Sequence, residues 1–114
     1  MPDHIELGYL LDSYGELLTE RQRMLIEQSA YEDLSLSEIA EREGISRQGV
    51  RDSLMRSEAQ LLDIEAKIGM IRRNMQLMEG IARMDAMLDE MEIAEQIKMK
   101  LKNELNALRE AVEG

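Results

Sequence analysis

The stretch LSLSEIAEREGISRQGVRDSLM, residues 34–55, predicts a helix-turn-helix. Ser35 can cap a first helix, because Glu38 stands three residues later and completes a capping box. At Gly44 the chain must turn sharply, and a residue without a Cβ atom can adopt the positive φ that this turn needs. Ile45 fills the turn, and Ser46 caps the second helix. This spacing is typical of two short helices that cross over a small shared core.

The second helix of the motif places Val50 and Leu54 on a buried stripe and polar side chains on its outer face. In a helix-turn-helix, the first turns of this helix contact base edges in a groove. Arginine can bind guanine or phosphate, and glutamine can bind adenine. The predicted nucleic-acid-binding residues are Ser46, Arg47, Gln48, Arg51, Asp52 and Arg56. The alternative is a solvated face, on which Asp52 and Glu58 pair with the arginines.

The charge of the chain opposes generic binding to a duplex. Its formal net charge is −10, whereas nucleic-acid-binding domains usually have a basic patch. Residues 1–34 hold eight acids and two bases, residues 35–56 hold four of each, and residues 57–114 hold twelve acids and eight bases. The motif is therefore the least acidic part of the chain. We expect weak sequence-independent affinity, since few counterions would be released.

Composition excludes several other classes of protein. With no cysteine and one histidine, His4, the chain can form no disulfide, no thiolate metal site and no cluster of histidine ligands. No glycine-rich phosphate loop is present. No apolar run reaches the roughly 18 residues of a membrane span. We therefore predict a cytoplasmic protein that is not an enzyme, uses no cofactor or metal, and does not insert into membranes.

Two helices are predicted before the motif. The first covers residues 3–14 and ends at Gly15. Thr19 and Gln22 form a capping box that begins the second helix, which extends to about residue 31. Their predicted buried residues are Ile5, Leu7, Leu10, Leu11, Tyr14, Met24 and Leu25.

The rest of the chain, residues 58–114, has the apolar heptad pattern of a coiled coil or helical bundle. The pattern slips by one residue near Gly80, and Gly69 and Gly80 are the predicted points of a bend or break, since each costs about 1 kcal/mol relative to alanine inside a helix. The predicted seam is Leu61, Ile64, Ile68, Ile71, Met75, Met78, Ile81, Met84, Leu88, Met91, Ala94, Ile97, Leu101, Leu105, Leu108 and Val112. A seam of this length predicts a homodimer through residues of about 58–112. The alternative is that the helices fold back within one chain at the two glycines.

Six of the ten methionines lie between Met70 and Met91. Because most of them are in phase with the apolar seam, we interpret them as core or dimer-interface residues. Met70 and Met87 fall off the main stripe and are the better candidates for an exposed contact, where flexible thioethers can adapt to a partner.

Three segments, TERQR at 19–23, DLSLSEIAE at 33–41 and ISRQGV at 45–50, resemble sigma-factor region 4 helix-turn-helix proteins. Adding YLLDSY at 9–14, LLTE at 17–20 and RSE at 56–58, the chain resembles the YlxM-type proteins over residues of about 5–70. These are small bacterial helix-turn-helix proteins encoded beside the signal recognition particle GTPase. The fold expected is all-α, with a sigma region 4-like domain at 1–57 and a helical, heptad-patterned extension at 58–114.

The resemblance implies a regulatory protein that takes part in the signal recognition particle pathway. Two functions follow as hypotheses. In the first, the second helix of the motif binds nucleic acid, either DNA or structured RNA. In the second, the protein is an adaptor that binds components of the signal recognition particle, its GTPase or its RNA, without sequence-specific DNA binding. One departure from good helix-forming sequence is Gly49, where alanine would be favoured.

Overall fold

A computed structural model describes residues 3–114, and this part of the chain is entirely helical apart from turns, which confirms the predicted all-α class. Helix α1 begins the described chain and is followed by a short 3₁₀ turn, Gly15–Leu17. The helices are α1 His4–Tyr14, α2 Glu20–Ala30, α3 Leu36–Glu43, α4 Arg47–Ile68, α5 Met70–Glu90 and α6 Glu95–Glu113. None of the helices between residues 3 and 114 combines the length and the apolar character needed to cross a bilayer.

Local sequence signals set the helix starts. Ser35 Oγ accepts a hydrogen bond from the Glu38 N–H at 3.1 Å, and the Glu38 carboxylate accepts one from the Ser35 N–H at 3.2 Å. The capping box predicted at Thr19 is present as well. Gly44 ends α3 in the left-handed region, with φ of 68°. The predicted helix-turn-helix is thereby confirmed as α3, a glycine turn and α4.

The chain forms two compact units, which meet after Ile71 rather than at the expected boundary of 57. The difference arises because α4 continues without a break through Ile68, and Leu61 is fully buried in the N-terminal core. In this unit α4 packs against α1, α2 and α3. Burying a leucine or isoleucine side chain stabilises a fold by roughly 1.5–3 kcal/mol. The most deeply buried side chains are Leu25, Ile26, Ile39, Val50, Ser57 and Leu61.

Three expected burial assignments are wrong. Ile5 is exposed, because it lies two residues before Leu7 and so points about 200° away from the stripe that packs on the core. Met24 is also partly exposed, while the neighbouring Ile26 takes the core position. Met70 is half-buried and packs against the N-terminal core, so it is not the exposed residue that the pattern predicted. Met87 is exposed, as expected.

The predicted break at Gly69 is confirmed, since this residue ends α4 with φ of 66°. At Gly80 there is no break, because α5 runs through this residue without interruption. A second break lies instead at residues 91–94, between α5 and α6.

In the C-terminal unit, α5 and α6 form a small core of Ile81, Leu88 and Leu105. Lys102 on α6 joins the two helices, with its Nζ 2.6 Å from Asp89 Oδ1 and 3.3 Å from Asp85 Oδ1. The hydrogen bond to Asp89 raises the pKa of Lys102 and lowers the pKa of Asp89. The acids at the end of α5 therefore have a structural partner.

Candidate nucleic-acid interface

The helix-turn-helix places all six predicted contact residues on the surface of α4 or at its cap. Val50 and Leu54 are buried against the core, and this fixes the rotation of α4. Because successive residues of a helix are rotated by about 100°, Arg47 and Arg51 lie on one flank of the exposed face. Arg56 lies on the opposite flank.

Gln48 and Asp52 lie one helical turn apart at the centre of the exposed face of α4. Gln48 Nε2 donates a hydrogen bond to Asp52 Oδ1 at 2.9 Å. The Gln48 amide keeps its second N–H and its oxygen for another partner, and Asp52 keeps its second oxygen. This pair can therefore offer both donors and acceptors to a base edge, with arginines on either side.

A side-chain hydrogen bond caps the first turn of α4. Ser46 Oγ accepts a hydrogen bond from the Gly49 N–H at 2.9 Å, so this hydroxyl caps the helix. A Cβ atom at Gly49 would lie 3.1 Å from the same oxygen. Gly49 also lines a cleft beside α4, and its lack of a side chain keeps that cleft open.

This cleft, of about 410 Å³, lies between the first turn of α2 and the exposed flank of α4. Its wall contains two guanidinium groups and no carboxylate. The lining residues are Thr19, Arg21, Gln22, Leu25, Ile45, Gly49, Ser53 and Arg56. Arg56 is among the predicted contact residues, whereas Thr19 was predicted only as a helix cap and Ser53 was not predicted at all. Gly49, Ser53 and Arg56 are spaced at i, i+4 and i+7. This spacing places the three residues on one side of α4, so the sequence could have indicated that they line one surface.

Acidic side chains of α2, of α3 and of the loop between them line a different groove. Glu20, Glu27, Glu32 and Glu43 line a hollow of about 420 Å³ together with Arg23, Met24, Gln28 and Arg42. Both arginines there are paired: Arg23 Nε lies 2.8 Å from Glu27 Oε1, and Arg42 Nη1 lies 3.2 Å from Glu32 Oε1. Charge in the N-terminal unit is thus segregated between two grooves, and the one beside α4 is basic.

A third hollow, of about 240 Å³, lies on the Arg51 flank of α4. Glu58 lines it with Leu36, Leu54 and Met55. Glu58 Oε2 is buried and has no hydrogen-bond partner among residues 3–114, and burial raises the pKa of this carboxyl. Arg51 lines the same hollow, but among residues 3–114 no ion pair joins it to Glu58, in contrast to the alternative of a salt-bridged face.

Comparison with known proteins agrees with this architecture. The model of the UPF0122 family, described as "Putative helix-turn-helix protein, YlxM / p13 like", matches residues 1–111. The chain is 40% identical over 95 residues to a UPF0122 protein of Desulforamulus reducens, which covers 83% of this chain and 81% of that protein. It is 33% identical over 112 residues to a UPF0122 protein of Clostridium novyi, covering 98% and 96% of the two chains. The resemblance to YlxM-type proteins is thereby confirmed.

Proposed function

The chain belongs to the UPF0122 family of helix-turn-helix proteins, and on that premise we propose that it is a regulatory protein that binds nucleic acid through α4. The first turns of α4 enter a groove, with Gln48 and Asp52 towards the base edges. Arg47 and Arg51 contact one phosphate strand, while Arg56 and Arg21 contact the other. Contacts to phosphate would position the helix, and contacts to bases would give specificity.

One observation carries the proposal: the arginines around α4 lack acidic partners. Among the residues that the structure describes, Arg21, Arg47, Arg51 and Arg56 form no ion pair, whereas Arg23 and Arg42 on the other groove each pair with a glutamate. An unpaired guanidinium is free to bind phosphate or guanine bidentately. The chain has 24 acidic and 14 basic residues, so acidic partners for these four arginines would be easy to supply. That all four lack one supports a role in binding an external anion.

The acidity of the chain limits how it binds. Four phosphate contacts on duplex DNA would give a slope of log affinity against log salt of roughly −3 to −4. Long-range attraction to a polyanion is small, so the complex depends on close contacts. The major groove of B-form DNA admits a helix, whereas that of a regular RNA helix is too narrow, so an RNA target would offer a loop or bulge. The resemblance adds the RNA of the signal recognition particle to the candidate targets.

The test is selection from random pools of duplex DNA and of structured RNA, followed by fluorescence anisotropy on the selected ligand and on signal recognition particle RNA. Arg47→Ala with Arg51→Ala should weaken binding by at least tenfold. The matched control is Arg23→Ala with Arg42→Ala, which removes the same charge from the acidic groove and should bind as the wild type does.

Failure to select any ligand, or equal loss in both double variants, would reject nucleic-acid binding through α4. Retention of signal recognition particle protein without nucleic acid would instead favour the adaptor hypothesis.

A further inference from the structure

The hairpin of α5 and α6 buries only one half of its heptad pattern. Ile81 and Leu88 on α5, with Leu105 and the partly buried Val112 on α6, are the positions that pack between the two helices. The alternate positions of the same repeats remain about half exposed. These are Leu77 and Met84 on α5 with Met91 directly after its end, each seven residues apart, and Leu101 and Leu108 on α6, also seven apart.

In a two-stranded coiled coil both heptad positions are buried between the two helices. Exposure of one set leaves this hairpin with an apolar face that its own two helices do not cover. Met84 and Met87 on α5, Met91 directly after it and Leu101 on α6 line a shared groove of about 290 Å³, whose lining is apolar except for Glu104. We call Leu77, Met84, Met87, Met91, Leu101 and Leu108 the open face.

We infer that the open face is covered by the open face of a second copy of this chain, so that two hairpins form a four-helix bundle. The occupant must carry an apolar stripe with the same heptad spacing and length, and a second hairpin has that stripe. Two-fold symmetry permits this pairing, because one patch then contacts the same patch on the partner. Four-helix bundles are built from such a-and-d-type positions on facing helices.

The size of the face suits a dimer. Helices α5 and α6 have 21 and 19 residues, so each is about 30 Å long, and a pair of helices is about 20 Å wide. Covering such a face removes about 600 Å² per copy, or about 1,200 Å² in total, which reaches the lower limit of stable specific interfaces.

The charge of the unit also suits pairing with itself. Residues 72–114 hold nine acids and seven bases, a net charge of −2, whereas residues 1–71 hold the remaining −8. Self-repulsion between two copies of the C-terminal unit is therefore small. By contrast, the exposed seam does not extend back into α4, since Leu61 is buried and Ile64 packs against the N-terminal core. The interface inferred is thus confined to α5 and α6.

The experiment is light scattering of the full chain at tens of micromolar, where the dimer gives twice the monomer mass of 13.1 kDa. Met84→Glu with Leu101→Glu, at side chains 47% and 43% exposed, should give monomer. Met75→Glu with Met99→Glu makes the same chemical change at side chains 49% and 58% exposed that lie off the open face, and should stay dimeric. Circular dichroism checks that each variant keeps its helix content.

Wild-type protein with monomer mass at that concentration would overturn the inference. So would a Met84→Glu, Leu101→Glu variant that remains dimeric, or dissociation of both double variants to the same extent.

Discussion

The Tyr14 hydroxyl donates a hydrogen bond to Glu65 Oε1 at 2.6 Å, although 51 residues separate the two in the chain. The same hydroxyl accepts a hydrogen bond from the Met70 N–H at 3.2 Å, and Glu65 Oε1 accepts one from the Ile71 N–H at 3.1 Å. These two N–H groups open α5 and have no partner within their own helix. A tyrosine from α1 and a glutamate from α4 thus cap the helix that follows Gly69.

Replacing Tyr14 with phenylalanine should therefore destabilise the N-terminal unit by about 1–2 kcal/mol, because the Met70 N–H loses its acceptor and a part-buried hydrogen bond is lost. The ring still fills its place in the core. Urea denaturation followed by circular dichroism measures the change, and Tyr9→Phe, at a half-exposed tyrosine of the same helix, is the control. Equal stability of the two variants would show that the hydroxyl contributes nothing.

Two glycines should respond in opposite directions to the same substitution. A Cβ atom would meet no atom within 4 Å at Gly8 or at Gly44. Gly8 lies inside α1, where alanine is favoured by about 1 kcal/mol, so Gly8→Ala should stabilise. Gly44 has φ of 68°, and a side chain in this left-handed conformation costs roughly 1–2 kcal/mol, so Gly44→Ala should destabilise. Thermal unfolding of both variants against wild type gives the two signs, and two shifts of the same sign would contradict this account.

Features set by neighbours in the sequence could be predicted from it. The capping boxes at Thr19 and Ser35, the turn at Gly44 and the outward position of Arg47 and Arg51 all follow from spacing within one or two turns of helix. The six outward residues of the candidate interface were found in the same way. The hydrogen bond between Gln48 and Asp52 could also be predicted, because residues four apart lie next to each other on a helix.

Features that depend on distant residues could not be predicted. Residues 91–94, Met-Glu-Ile-Ala, contain no glycine or proline, yet α5 ends there because Leu88 and Leu105 pack together and Lys102 binds Asp85 and Asp89. Gly80, by contrast, is a residue that disfavours helix, yet α5 continues through it, and the adjacent Ile81 packs in the same core. The cleft between Arg21 and Arg56 likewise arises only when α2 and α4 pack together.

Burial of Glu58 makes stability depend on pH in a particular direction. Its raised pKa means that the folded state holds the proton more tightly than the unfolded chain does. The stabilisation from this group is therefore fully present below the pKa of an unfolded glutamate, about 4.3, and is lost as the pH rises through the higher pKa of the folded state. Glu58→Gln, which keeps the volume and removes the charge, should raise the melting temperature at pH 7 by a few degrees.

The advantage of Glu58→Gln should shrink as the pH falls from 7 through the raised pKa of the folded state, and it should be gone below about 4.3, because the wild-type carboxyl is then protonated as well. Glu41→Gln, at an exposed glutamate of α3, is the control and should show no such trend. Melting temperatures measured from pH 4 to pH 8 check both statements. A variant that is less stable than wild type at pH 7 would mean that the carboxylate has a favourable partner in solution.

If α4 binds nucleic acid as proposed, contacts to phosphate and to bases should separate by their salt dependence. Arg21→Gln removes one cation from the cleft and should reduce the slope of log affinity against log salt by about one, with equal weakening on all sequences. Gln48→Ala removes no charge, so the slope should stay constant while discrimination at one base pair falls by about 1–3 kcal/mol. Anisotropy titrations on the selected ligand and its single-base variants, at several salt concentrations, measure both quantities. A slope unchanged by Arg21→Gln would place the phosphates away from the cleft, and an unchanged base preference in Gln48→Ala would mean that α4 does not lie in the groove with its centre towards the bases.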